Sequence, residues 1–140
     1  MADQRKDLMK RFYDEIMNQG NLDRIPELCT EDMVDHEAPP GMPEGLEGVK
    51  TFIETFRTGF PDIQVEVESA VEEGDMVAAR CRVTGTHEGE FLGVPPSHNR
   101  IDIEWIDMVR VEGDKCAEHW GVSDNLAMMQ QIGAVPETAT

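Results

Sequence analysis

Asp107 stands where a carboxylate is costly. Residues 101 to 111 read IDIEWIDMVRV, and as a strand they place Ile101, Ile103, Trp105, Asp107, Val109 and Val111 on one face. The face is otherwise apolar, so its single acid must be hydrogen-bonded, paired or neutralised. Two readings are open: an aspartate satisfied by a loop or an arginine, or a general acid/base in an apolar cavity, where perturbed carboxylates collect. His119 bears on the choice, because it lies in KCAEHWGV, the expected antiparallel partner. A three-residue turn from Glu112 to Asp114 sets Asp107 opposite His119, whereas a two-residue turn sets it opposite Trp120. Gly113 suits either turn, so the register stays open. If they meet, the pair reads as a proton-transfer unit with an imidazole tuned by a carboxylate, or as a buried histidine satisfied by an aspartate.

The remaining histidines are His36, beside Glu37 in a loop from which a side chain can reach a cavity mouth, and His87 and His98, in or near another loop. No two histidines have HxH or HxxxH spacing, so no protein-bound metal is expected. A glycine-rich phosphate loop and a GxSxG motif are both missing, so no nucleotide cofactor and no serine nucleophile are expected.

Periodicity supplies the elements that must position these groups. Leu8, Met9, Phe12, Tyr13, Ile16 and Met17 recur at helical spacing, which predicts one helix from Gln4 to Asn18 closed by Gly20. Asp23 as N-cap puts Pro26 in the first turn of a short second helix ending near Cys29. Residues 34 to 45, VDHEAPPGMPEG, read as a loop, and a third helix from Leu46 to Gly59 buries Val49, Phe52, Ile53 and Phe56. The period then changes to two. Ile63, Val65 and Val67, the turn EEGD, and Val77, Ala79, Cys81 and Val83 predict a hairpin. A long loop at residues 89 to 100 is expected to close one end of a cavity. After the strand pair containing Asp107 and His119, a short helix follows with Ser123 or Asp124 as N-cap and Gly133 beyond its end. Helices first and strands after imply α+β, a curved antiparallel sheet with helices on one face.

The 140 residues suit a single domain, 1-140. No apolar run reads as a signal peptide or a membrane span. Cys29, Cys81 and Cys116 are odd in number and form no CxxC pair, which suits a reducing, cytoplasmic setting. A formal net charge of −17 argues against nucleic acid and anionic membrane as partners. The same acidity reads either as adaptation to concentrated salt, which screens self-repulsion, or as a solubilising surface.

The strings RFYDEIMNQGNLDRIPELCTEDMVDH, GTHEGEFLGVPPSHNRIDIEWIDMVRV and EHWGVSDNLAMMQQIGA together resemble the SnoaL-like polyketide cyclases, also described as ester cyclases, within the NTF2-like superfamily. The resemblance runs from about Lys6 to Ala134. It implies an NTF2-like cone-shaped barrel, a curved sheet wrapped around N-terminal helices over a deep apolar pocket. It also implies a cofactor-free catalyst of intramolecular aldol ring closure on a polyketide-like substrate. Asp107, His119 and His36 are the catalytic residues so indicated, and Tyr13, Met33, Phe56, Phe91 and Trp105 the substrate-binding ones. FYDEIMNQGNLD is similar to the first helix of ketosteroid isomerase, where a tyrosine stabilises an enolate, and this gives Tyr13 an oxyanion role. The scaffold also admits isomerases, dehydratases and epoxide hydrolases. A limonene-type hydrolase needs an Asp–Arg–Asp set, yet alternation places Arg110 on the face opposite Asp107. A non-catalytic small-molecule-binding protein is a further alternative. Ile106 and Met108 on the outward face suggest a homodimer.

Overall fold

The computed structural model describes residues 3–38 and 41–136. Five strands form one sheet in the order β1-β5-β4-β3-β2: β1 (Cys29–Asp35), β2 (Gln64–Glu73), β3 (Met76–Thr86), β4 (Arg100–Glu112) and β5 (Lys115–Ser123). The sheet curls around α1 (Asp3–Arg11), α2 (Ile25–Leu28) and α3 (Gly45–Gly59), and α4 (Asn125–Gln131) follows the last strand. The α+β reading therefore holds, with one difference. β2 to β5 are antiparallel, but β1 joins β5 in parallel. The sequence hid this strand because only Cys29 and Met33 of β1 are buried, and its register shifts between Cys29 and Val34, so a period of two never develops. The expected loop at 34 to 45 begins two residues late as a result, and its Pro39 and Pro40 lie outside the described residues.

The first helical stripe is buried as its spacing requires, with Ile16 and Met17 inaccessible to solvent. The helix is not uniform. After α1 it continues from Phe12 to Asn18 in the wider π-helical winding, a departure that recurs at functional sites. The segment carries Tyr13. Its last carbonyls, on Met17 and Asn18, accept hydrogen bonds from Arg57 Nη1 at 2.6 and 2.9 Å. Gly20, at φ +78°, leaves the room that guanidinium needs, since a Cβ there would stand 2.7 Å from Arg57 Nε. The second helix starts from a single tight turn at Leu22–Arg24 and has Pro26 near its N-terminus, as expected, without an Asp23 side-chain cap.

β3 buries Val77, Ala79, Cys81 and Val83, and β4 buries Ile101, Ile103, Trp105, Asp107, Val109 and Val111, so both strands alternate as read. Asp124 caps α4, its Oδ1 accepting the Ala127 N–H at 3.1 Å. The loop after β3 drives Phe91 into an aromatic cluster with Phe56 and Phe60, and Phe56 meets the edge of Trp105. Phe56 and Phe91 thus stand behind the cavity wall and do not line it. That corrects their reading as substrate contacts. No described helix is long and apolar enough to cross a membrane.

Arg57→Met would strip two helix-end carbonyls of their shared donor. The expected loss of unfolding free energy in urea is about 1–3 kcal/mol, with the same final fold.

Candidate active site

The hairpin of β4 and β5 turns through Gly113 and Asp114, with Glu112 opposite Lys115 and Gly113 at φ +65°. Uninterrupted, that two-residue turn would set Asp107 against Trp120. A bulge intervenes: Val111 pairs with Cys116, but Arg110 pairs with Glu118, so Ala117 is the extra residue. Asp107 therefore faces Gly121, neither of the two partners expected from turn length alone. The same shift turns His119 inward, two residues from Gly121 on the same face, within diagonal reach of Asp107. Trp120 faces out.

The result is a chain of four polar side chains. Asp35 Oδ1 meets His119 Nδ1 at 2.8 Å, and His119 Nε2 meets Asp107 Oδ1 at 2.8 Å. Asp107 Oδ2 accepts a hydrogen bond from the Tyr13 hydroxyl. Carboxylates only accept, so His119 can serve two of them only with a proton on each nitrogen, as imidazolium. Burial opposes that charge, but the bonds to Asp107 and Asp35 outweigh it and push the imidazole up to about 10. Asp35 is held below the usual carboxylate range, because the His119 cation and the Glu37 N–H, at 2.9 Å, outweigh its desolvation. Tyr13 is raised by burial and by the adjacent Asp107 charge, so it stays a phenol.

Glu37 was named in the sequence only as a neighbour of His36. In the structure the two exchange places. Asp35 points inward, and in the turn that follows β1 His36 lies on the outer face while Glu37 reaches the cavity. His36 stacks on Trp120, with ring centroids 4.9 Å apart and planes 9° from parallel, and its Nε2 lies 2.6 Å from Glu118 Oε2. It lies on the outer face of the sheet, away from Asp107, which corrects its placement among the catalytic residues. Glu37 instead joins Asp107 and His119, their ligand atoms all within 4.8 Å of one another. Its carboxyl is raised by burial first and by the Asp107 charge second, with the His119 cation acting in the opposite direction. A cation bound by these three would have to displace the proton between His119 and Asp107.

Around the polar chain the cavity is apolar, with an empty space of about 660 Å³ including its mouth. Met9, Phe12 and Met17 line it from the first helix, Val49, Phe52 and Ile53 from α3, and Met33, Trp105 and Val109 from the sheet. Tyr13, Met33 and Trp105 are therefore cavity residues, as is the Asp107–His119 pair. Of the described residues that line it, none is Lys or Arg.

The imidazolium makes stability depend on pH. His119 has a higher proton affinity folded than unfolded, where it titrates near about 6.5. Its contribution is thus complete below that value and is lost as pH rises toward about 10. Urea titrations of wild type and His119→Asn from pH 6 to 10 should show wild type losing most of its advantage across that interval. A constant difference would contradict the charged imidazole.

Comparison with known proteins gives a consistent answer. The family model described as "SnoaL-like polyketide cyclase" matches residues 7–132. Aklanonic acid methyl ester cyclase DauD of a Streptomyces species (strain C5) is 26% identical over 130 residues, covering 91% of this chain and 80% of DauD. Wild-type IdmH from Streptomyces antibioticus is 37% identical with a TM-score of 0.81, covering 93% of this chain and 99% of IdmH. TsrD from Streptomyces laurentii is 26% identical with a TM-score of 0.88, covering 96% of this chain and 98% of TsrD. The resemblance carried by the first helix, the Asp107 strand and the C-terminal segment is a true kinship, and the chain belongs to the SnoaL-like polyketide cyclase family.

Proposed function

We propose that this protein is a cofactor-independent cyclase that closes a ring by intramolecular aldol condensation of a polycyclic aromatic β-keto ester. The observation that carries the reading is the Asp35–His119–Asp107–Tyr13 chain, a set of acid and base groups at the wall of an apolar cavity. Methyl ester cyclase relatives such as DauD support the substrate class. So does the charge of the cavity. Its ionisable residues are Tyr13, Asp35, Glu37, Asp107 and His119, besides two cysteines, so a neutral ester suits it better than a free acid.

In such a reaction a carboxylate removes the proton next to a carbonyl, and the electron pair moves onto oxygen as an enolate. The enolate carbon attacks a second carbonyl, forming a C–C bond and an alkoxide. The His119 imidazolium supplies the alkoxide with a proton, and the abstracted proton restores the imidazolium, so no atom is gained or lost. General acid and base groups held in this way each contribute roughly 10²–10⁴ in rate. The epoxide-hydrolase alternative lacks its arginine, for Arg110 bonds Glu118 at 3.0 Å and does not line the cavity.

A homodimer is part of the same proposal. Ile106, Met108 and Val122 are 52%, 39% and 75% exposed on the outward face of β4 and β5, beside Trp120 and His36. Sedimentation at micromolar concentration should give twice the chain mass, and Ile106→Glu with Val122→Glu should give the monomer.

The direct test is ring closure of an anthraquinone bearing a β-keto ester side chain. Wild type should form the cyclic alcohol. Asp107→Asn should lose at least about 100-fold in kcat, because an amide cannot accept from both His119 and Tyr13. With one carboxylate fewer, His119 should also titrate lower, moving the alkaline limb of the pH–rate profile down. Undiminished turnover by Asp107→Asn would remove the polar chain from the mechanism.

A further inference from the structure

A base that removes a carbon-bound proton works best from a carboxyl that is not already tied to strong hydrogen-bond donors, and the polar chain holds few of those. Asp107 accepts on both oxygens, Oδ1 from His119 Nε2–H and Oδ2 from the Tyr13 hydroxyl, which fixes its orientation. Asp35 takes both of its bonds on Oδ1, from His119 Nδ1–H and the Glu37 amide, which leaves Oδ2 without a hydrogen bond among the described residues but ties the carboxyl to the His119 cation. His119 carries protons on both nitrogens, and Tyr13 has committed its own. Glu37 is different. Among the described residues its carboxyl has the Ser123 hydroxyl as hydrogen-bonding neighbour, and no imidazole or guanidinium bonds to it. It lines the cavity.

Gly121 fixes where that carboxyl sits. Its φ is not positive, so backbone conformation does not demand glycine there. Space does. A Cβ at position 121 would stand 2.7 Å from Asp107 Oδ1 and 2.8 and 2.9 Å from the two Glu37 oxygens. Both carboxyl groups thus rest over one Cα, side by side, where like charges resist joint ionisation. The pair divides the work: Asp107 holds the His119 and Tyr13 donors, while no imidazole or guanidinium bonds Glu37.

We infer that Glu37 is the general base of this site, taking the proton from the carbon beside the substrate carbonyl, and that Asp107 is a positioning residue holding His119 and Tyr13. The inference rests on the aldol reading for the later steps, but proton abstraction stands apart from ring closure. The breaking C–H bond leaves its pair on the carbonyl carbon and oxygen as the enolate, and the proton forms the Glu37 carboxyl O–H. After His119 protonates the alkoxide, that carboxyl lies within the same cluster and returns a proton to the imidazole. The groups facing Glu37 are Asp35 beside it on the chain, Asp107 from β4 and His119 and Ser123 from β5. Burial and the two aspartates favour its protonated form, and the His119 cation disfavours it, so it titrates above the ordinary carboxylate range.

The experiment follows the anthraquinone β-keto ester in D2O by NMR, reading deuterium uptake at the carbon between the carbonyls and, separately, ring closure. Wild type, Glu37→Gln, Glu37→Asp and Asp107→Asn are compared, each checked for an unchanged circular dichroism spectrum. Glu37→Gln should lose at least about 100-fold in kcat for both exchange and closure, with KM little changed. Glu37→Asp should recover part of the rate, with the acid limb of its pH profile displaced from wild type. Asp107→Asn should shift the alkaline limb instead. Exchange undiminished in Glu37→Gln would overturn the inference, as would wild type that neither exchanges nor cyclises the probe. Exchange that depends on Glu37 without closure would uphold the base and overturn the cyclase reading.

Discussion

One cation serves three acids. Asp35, Glu37 and Asp107 converge on His119 inside an apolar cavity lined by no described Lys or Arg. Unpaired carboxylates in such surroundings cost several kcal/mol each, so the imidazolium is the condition on which the others are tolerated. Its proton is held by two acceptors at 2.8 Å, which makes the arrangement rigid as well as neutralising. Of the three acids Glu37 has the fewest hydrogen bonds, so it is the one least stabilised as a carboxylate.

Each irregularity of the fold serves that convergence. The Ala117 bulge rotates the distal half of β5, and without it Trp120 would occupy the cavity and His119 the outer face. The parallel edge strand β1 supplies Asp35 in register with His119, and the turn after it supplies Glu37. The wide winding after Arg11 carries Tyr13, whose hydroxyl reaches Asp107 Oδ2 from the opposite layer. Gly121 clears the surface on which the carboxyls meet. Regular elements would have filled the core equally well, so these departures are explained by the site.

The α+β layout was legible because burial writes itself into periodicity. The alternation of β3 and β4 and the helical stripe from Leu8 to Met17 gave element type, core face and the anomalous Asp107 directly. Pairing was less legible. A turn length fixes register only until the first bulge, and Ala117 is a small apolar residue between two others that carries no mark of its own. β1 was invisible for a related reason: an edge strand with two buried side chains and a shifted register resembles a polar loop. His36 was taken for Glu37 because a histidine attracts a chemical reading and a glutamate in an acidic chain does not. Phe56 and Phe91 pack on each other, and Phe56 on Trp105, a placement that depends on three-dimensional packing and is not written in periodicity.

The division between a carboxyl that holds two donors and one that no cation bonds also explains why the costlier position is the better buried one. Asp107, only 8% exposed, is held by donors from two layers, so the free energy lost on burying it is largely recovered in charged hydrogen bonds. Glu37, half-buried on a loop beyond β1, keeps unmet acceptor capacity, and in a cavity that excludes water the natural donor is whatever enters. Rigidity and reactivity are therefore assigned to different residues. The sheet supplies the fixed field, and the chain leaving its edge supplies the group that must gain and lose a proton in every turnover.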